Sequence, residues 1–386
     1  MKSTFGKNIR TTIWGGSHEP AIGVEIEGLP KGTKIDMKQL AAFLKRRAPG
    51  NSPFATKRRE PDIPLPVSGL EDADPIDFTA VPAVYAEQLQ SRDFPDTVIV
   101  TEDRIALEIK NTDTRSSDYK KLRAVPRPGH ADYTARLRYG EALNMAGGGP
   151  FSARMTAPLC IAGGIALQML KQQGITIGAH IYSIGEIQDT PFHPVGVSVK
   201  QLEDLQEMDF PVLSPKAGRI MAEEITKARM EQDSIGGIVE VCALNLPGGI
   251  GGAMYDGLES TLAPIFFGIP AVKGVEFGTG FAASKLRGSQ NNDAFVYRGG
   301  TVKTDTNHHG GILGGITSGM PLIARLAFKP TPSISREQDS VDLETKENTK
   351  LIIQGRHDPC VVVRAVPIVE AALALGILDS MMEVQK

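Results

Sequence analysis

Forty-one glycines and 26 prolines are spread without a repeat through 386 residues, and they limit this chain more than any other feature. They gather at Gly147-Gly148-Gly149, Gly248-Gly249-Ile250-Gly251-Gly252, Gly299-Gly300 and Gly310-Gly311-Ile312-Leu313-Gly314-Gly315. Glycine lets the backbone adopt positive φ and lets a ligand come close to the main chain. Tight turns between strands use the same residue, so any one cluster is open between turn and cradle. Several in one chain predict an enzyme with a pocket built from loops. With 41% apolar and 23% charged residues the composition is that of a globular protein, which excludes a disordered tail, a collagen or a coiled coil.

The formal net charge of −3 argues against a protein that grips a nucleic-acid backbone. No apolar run approaches the ~18 residues of a membrane span, and the first twenty residues lack a signal-peptide core. No membrane association is expected. Cys160, Cys242 and Cys360 form neither a disulfide framework nor a metal pair, which suits a cytoplasmic location.

The hydrophobic pattern mixes both periods. Residues 22–28 alternate like a half-buried strand. Asp36 can cap a helix through Leu40 and Leu44 that ends before Pro49-Gly50, with Lys45-Arg46-Arg47 at its negative pole. Strands are expected over 96–110, 235–244 and 271–277. A buried helix is expected from Ser152 to about Leu170. Another follows the Ser214-Pro215 start to about Glu231, and a last one runs from Pro367 through Ile377. No linker divides the chain, so one α/β domain over 1–386 is expected, with an irregular, proline-bearing insertion around 61–104.

Five histidines, His18, His130, His308, His309 and His357, sit in polar or glycine- and proline-rich turns. A hydrogen-bonded loop histidine is the plain reading of any one, but the set points to the rim of a pocket. His180 and His193 lack such a setting. Spacings for zinc are missing, so no metal is expected. Arg46, Arg47, Arg58, Arg127, Arg154, Arg287, Lys329 and Arg356 lie near Gly, Pro or Ser. The guanidinium fork fits carboxylate and phosphate. Convergence of several would suit a small polyanion, whereas Lys57 and Arg59 read as a solvated face. Neither a P-loop nor a dinucleotide fingerprint is present.

In order along the chain come Gly-Gly-Ser-His (15–18), Arg-Arg-Ala-Pro-Gly (46–50) and Thr56-Lys57-Arg58. Asn-Thr-Asp-Thr-Arg-Ser-Ser-Asp-Tyr (111–119), Arg-Pro-Gly-His-Ala-Asp-Tyr (127–133), Gly-Gly-Gly (147–149) and Ser-Ala-Arg (152–154) follow. Then come Asp-Ser-Ile-Gly-Gly (233–237), Pro-Ala-Val-Lys-Gly-Val-Glu-Phe-Gly (270–278) and Leu-Arg-Gly-Ser-Gln-Asn (286–291). Gly-Gly-Ile-Leu-Gly-Gly-Ile (310–316), Lys-Pro-Thr (329–331) and Gly-Arg-His-Asp-Pro-Cys (355–360) complete the series. With this series the chain resembles chorismate synthase over nearly its full length.

The resemblance implies an α+β layered sandwich, antiparallel sheets around a helical core, assembled as a homotetramer. It implies a carbon–oxygen lyase that converts 5-enolpyruvylshikimate 3-phosphate to chorismate, the last common step toward aromatic amino acids. Reduced FMN is required with no net redox change, and an external flavin reductase would supply it. Catalytic roles fall on His18, facing the substrate phosphate, on His130, facing flavin N1, and on Asp358, near flavin N5. Flavin contacts fall on Ser152, Ala271, Gly314, Lys329, Pro330, Thr331, Pro332, Ser333 and Arg356. Substrate or NADP contacts fall on Ser17, Arg47, Arg58, Arg127 and Arg154. Four departures stand out. Gly16 and Glu19 flank the Ser-His pair where the family has Glu and Gly. Pro150 replaces an arginine, Pro53 replaces another, and 70–104 replaces a shorter loop. A fold-retaining homologue with altered activity is the alternative these changes imply.

Overall fold

The computed structural model describes residues 2–50, 54, 60–73, 95–112, 124–353 and 357–384. Its centre is a mostly apolar helix that is buried on every side. Val362–Val384 (α7) runs for 23 residues, about 34 Å at 1.5 Å per residue, and is buried almost throughout. A helix apolar all round belongs inside a protein or a membrane; here protein covers it. Against it packs Thr156–Gln172 (α3), and Met37–Arg47 (α1) and Leu258–Gly268 (α6) flank the pair. Residues Ala153–Gln172 are long and apolar enough to cross a membrane by length and composition, a stretch that the sequence reading did not flag. Of its most apolar window, 78% is buried inside the fold.

Two five-stranded antiparallel sheets enclose these helices. The first joins Lys2–Phe5 (β1), Arg10–Gly15 (β2), Ala21–Glu27 (β3), Arg104–Lys110 (β8) and Leu65–Ser68 (β5) in the order β1-β2-β3-β8-β5, and lies on α3. The second has Thr176–Ile184 (β9), Ile187–Gln188 (β10), Gly237–Leu244 (β11), Val272–Phe277 (β12) and Leu322–Phe328 (β17). Its order is β10-β9-β11-β17-β12 and it lies on α7. The layers run sheet, helices, sheet, as the resemblance implied. Lys34–Asp36 (β4), Leu70–Asp72 (β6) and Thr97–Val100 (β7) form a third, three-stranded sheet. Hairpins Phe295–Arg298/Thr301–Thr304 (β13, β14), Ile312–Leu313/Ile316–Thr317 (β15, β16) and Gln338–Asp342/Glu347–Leu351 (β18, β19) lie outside the sheets. Asp132–Tyr139 (α2), Val199–Gln206 (α4) and Pro215–Met230 (α5) complete the helices used below.

Local signals place most elements. Asp36 caps α1 by accepting from the Gln39 N–H, and Ser214 caps α5 with Pro215 in its first turn. Two expectations need correction. The stretch 61–104 is not an irregular insertion where it is described, because β5, β6, β7 and the start of β8 lie in it. The last helix starts at Val362, five residues before Pro367. Its β-branched start reads as strand, and burial against α3 overrides that propensity.

Three charged groups on the central helix anchor it. Glu370 accepts from Arg46 of α1 at 3.0 Å and from the Ala179 N–H of β9 at 3.1 Å. Asp379 accepts the N–H groups of Lys7, Asn8 and Ile9, the last two at 2.7 Å. Arg364 donates to the Arg47 carbonyl at 3.0 Å and to Asp358 at 2.8 Å. Close approach of α3 depends on Gly163, where a β-carbon would collide with the Cα, Cβ and carbonyl oxygen of Ala371. Gly163→Ala should therefore cost about 3 kcal/mol, at the upper end of overpacking, read as a lower urea midpoint; an unchanged midpoint would show that the two helices can separate freely.

Candidate active site

A cleft of about 380 Å³ opens where α1, α7 and the loops before α2 and α3 meet. That volume lies within the usual range for small-molecule sites. Its floor is made by Gly147, Phe151, Ser152 and Ala153, and its far wall by Pro270, Ala271, Thr331, Pro332 and Ser333. Ala271 holds φ 76, a left-handed conformation that a non-glycine residue adopts only under constraint. The Lys329 N–H bonded to its carbonyl at 3.0 Å helps to hold it there.

The loop Gly147-Gly148-Gly149 has positive φ at all three residues (62°, 91° and 52°). A β-carbon on Gly147 would strike the His18 ring and the Ser17 hydroxyl, and one on Gly148 would stand 3.1 Å from His130 Nε2. Bare backbone thus separates the two histidines, and only glycine allows it. The Ser17 N–H donates to the Gly149 carbonyl at 3.2 Å. Asn111 ties down the 16–19 loop that carries Ser17 and His18, its side-chain amide donating to the carbonyls of Gly16 and Glu19 while its side-chain oxygen accepts from Arg154 Nε at 3.0 Å.

His130 is oriented from behind. Its Nδ1 is 2.8 Å from Asp132 Oδ1. Arg127 Nη2 also lies 3.1 Å from that nitrogen but has an acceptor in Asp132 Oδ1 at 2.7 Å, so Nδ1–H is left to donate to the carboxylate. That tautomer turns Nε2 toward Gly148 and the cleft. Burial works against ionisation of Asp132, but hydrogen bonds from Arg127 and His130 outweigh it and hold the carboxyl well below its usual range.

The arginines of the cleft are not bare cations. Arg47, 1% exposed, pairs with Asp62 and donates Nε to Thr156 at 3.2 Å. Arg154 pairs with the other oxygen of Asp62, and its Nη2 stands 3.6 Å from Glu60. Arg127 spends Nε and Nη2 on Asp132 and Nη1 on Ser333. Burial lowers Arg47 to about 10, with Asp62 opposing. Burial would raise the Asp62 carboxyl, but Arg47 and Arg154 pull it down further. Asp62 itself holds φ 51. Arg47, Arg127, Arg154, Lys329 and Arg364 thus stand against Glu60, Asp62, Asp132 and Asp358, a small positive excess among the described residues.

Asp358 lines the cleft, clamped by Arg364, and its carbonyl accepts the Thr331 hydroxyl at 2.6 Å. His357 lines it too, and its buried Nε2 has no hydrogen-bond partner among the described residues. Burial and the Arg127 cation lower its pKa, Asp358 opposing. Lys329 donates to the Gly129 carbonyl, and burial with Lys273 lowers its pKa.

Of the residues named from sequence, His130, Asp358, Ser152, Ala271, Lys329, Thr331, Pro332, Ser333, Arg47, Arg127 and Arg154 line the cleft. Ser17 and His18 lie behind Gly147. Pro330 is adjacent without lining it, as is Pro150. Gly314 is exposed and does not line the cleft. Arg58, Arg356 and Pro53 lie outside the described residues. Sequence reasoning missed Glu60, Asp62, Asp132 and Arg364 as site residues, and gave His357 a place at a pocket rim without a role. Asp132 and His357 stood within quoted motifs, but Asp62 offered no signal, because its partners are 15 and 92 residues away. His180 was also passed over. It is buried in β9 between Asp189 at 3.1 Å and Glu240 at 2.9 Å, with Arg325 on Glu240 at 2.8 Å.

A profile of the family described as chorismate synthase matches residues 9–99 and 99–382. A chorismate synthase of Lancefieldella parvula is 44% identical over 391 aligned residues, covering 99% of this chain and 96% of that protein. One of Thermococcus gammatolerans is 43% identical, covering 98% and 97%. A crystal structure of chorismate synthase superposes with a TM-score of 0.70 at 23% identity, covering 98% of this chain and 93% of that one, a likeness of fold.

Asp62→Ala should leave two buried guanidinium groups unpaired and cost about 3–5 kcal/mol in urea unfolding. Because Asp62 is depressed in the fold, its contribution is full above the unfolded carboxylate range near pH 4 and is lost as pH falls below it. Asp62→Asn should flatten that acid limb; an unaltered limb would place the titration elsewhere.

Proposed function

The chain belongs to the chorismate synthase family, and we propose that its cleft carries out that family's reaction. The reaction is the 1,4-anti elimination of phosphate and a ring hydrogen from 5-enolpyruvylshikimate 3-phosphate, giving chorismate. The observation that carries this reading is the glycine loop 147–149, which brings His18 and His130 to its two sides next to a cleft edged with cations.

The residues fit the reduced FMN that the family uses. Pro270, Ala271, Pro332 and Phe151 offer apolar surface to a flat ring, while Lys329, Ser152 and Ser333 offer polar contacts beside it. The His357 Nε2, without a hydrogen-bond partner among the described residues, lies at the same cleft. When bound, the flavin supplies transient electron density that helps the allylic phosphate to leave.

The protein's own residues do the rest. His18 donates a proton to the departing phosphate. His130, its Nδ1–H fixed on Asp132, presents Nε2 to the flavin N1 edge and controls the charge there. Asp358, oriented by Arg364, takes part in proton removal near N5. Arg47, Arg127 and Arg154 are preorganised by Asp62 and Asp132, and the substrate's anions share their remaining faces. Arg58 and Arg356 add cations to this set by resemblance. Gly314 would reach flavin only from a neighbouring copy. Assembly with further copies is supported by the exposed large side chains Tyr255, Phe281, Phe295 and Tyr297, which a second copy would cover, and four copies are what the resemblance implies. An external reductase delivers the reduced flavin.

An anaerobic assay tests the reading. Phosphate release and chorismate absorbance should require reduced FMN; equal release with oxidised FMN or none would refute it. His18→Ala and His130→Ala should each lower turnover ~10²–10⁴-fold, the usual contribution of a positioned acid or base. Circular dichroism should be unchanged. Folded variants losing less than about threefold would remove both residues from the mechanism.

A further inference from the structure

Away from the cleft, three side chains from separate segments stand in the order of a serine hydrolase triad. Asp293 precedes β13, His309 lies between β14 and β15, and Ser318 follows β16. The Asp293 carboxylate is bonded to His309 Nδ1, and His309 Nε2 lies 2.9 Å from Ser318 Oγ. Ser318 Oγ also accepts the Met320 N–H at 3.4 Å, so its hydroxyl proton is directed to the imidazole. The carboxylate is held in place from its other sides. It accepts the His308 N–H at 2.9 Å, the His309 N–H at 3.0 Å and the Thr306 hydroxyl. Burial opposes its ionisation, but these donors outweigh it and keep it ionised.

The exposure suits a nucleophile. The side chains of Asp293 and His309 are 3% and 7% exposed, whereas Ser318 is partly open to solvent. The chain turns sharply just after the serine, at Gly319 with φ 79. Gly319, the residue after Ser318, lines a cleft of about 530 Å³ together with Val195, Val197, Val302 and Met320 and with the polar Arg298 and Lys303, while Ser318 itself stands outside that lining. The apolar part of the cleft would hold a short acyl chain, reached past Gly319. None of these residues belongs to the cleft of the proposed lyase reaction.

We propose that Ser318, His309 and Asp293 form a second, independent site whose activated serine takes small carboxylic esters with apolar acyl groups. Ser318 Oγ bonds to the ester carbonyl carbon as its proton passes to His309 Nε2. The carbon–alkoxy bond breaks and that proton leaves with the alcohol. Water then attacks the acyl-serine with His309 as base, releasing the carboxylic acid and restoring the serine. The cycle uses one water and no redox partner.

The test uses the whole protein. A fluorophosphonate probe should label Ser318 in the folded protein, as located by peptide mass spectrometry, and not in urea. Hydrolysis of p-nitrophenyl butyrate should vanish in Ser318→Ala. Asp293 also staples its loop, so its variants test folding together with catalysis, and His309→Gln is the deciding change. In His309→Gln with native circular dichroism, labelling and hydrolysis should slow at least about a hundredfold, the scale of a lost general base. No label on Ser318 in the folded wild type, or labelling of a folded His309→Gln at the wild-type rate, would overturn the proposal. A His309→Gln protein that does not fold passes the decision to His309→Asn and to the urea comparison, where labelling of the unfolded chain at the native rate would also overturn it.

Discussion

Enclosure of α7 is the constraint on which the rest depends. Burying a helix on every side requires a sheet, a helix or a loop against each face, and the second sheet, α1, α3 and α6 meet that demand. A buried charge unpaired costs several kcal/mol, so Arg364, Glu370 and Asp379 must each find partners at fixed places. They find them in the cleft, in α1 with β9, and in the loop after β1. The helix is thus pinned lengthwise as well as packed sideways, and Asp358 is positioned by the same residue, Arg364, that anchors its first turn.

The cleft inherits this rigidity. Each described arginine that a polyanion would meet is already held by a carboxylate, which fixes the guanidinium planes before any ligand arrives. Such preorganisation lowers the reorganisation needed when charge develops on a leaving group. It also sets a condition on recognition, since an incoming anion must complement a nearly balanced array. The glycine loop supplies the opposite quality, an absence of side chains that lets two imidazoles approach one small volume.

Much of this was legible in the sequence. Caps at Asp36 and Ser214, the alternation of β3 and the apolar run of α3 are local signals, and the structure follows them. The motif residues His130, Lys329 and Asp358 line one cleft. What escaped depends on distance. Asp62 and Arg364 have no local signal in the sequence, because only folding brings them against Arg47. The start of α7 was hidden because tertiary burial decided it. His180 looked inert because nothing adjacent in sequence announces Glu240, sixty residues on.

Asp379 accepts the amides of residues 7 to 9 across a separation of 370 to 372 positions. During synthesis on the ribosome, the loop after β1 therefore waits without its acceptor until nearly all of the later chain has emerged. Helix α7 arrives last into a space that its neighbours cannot close without it. Contacts of such separation slow folding and leave apolar surfaces waiting. For this chain the waiting surfaces are the faces of α3, α6 and the second sheet that α7 covers.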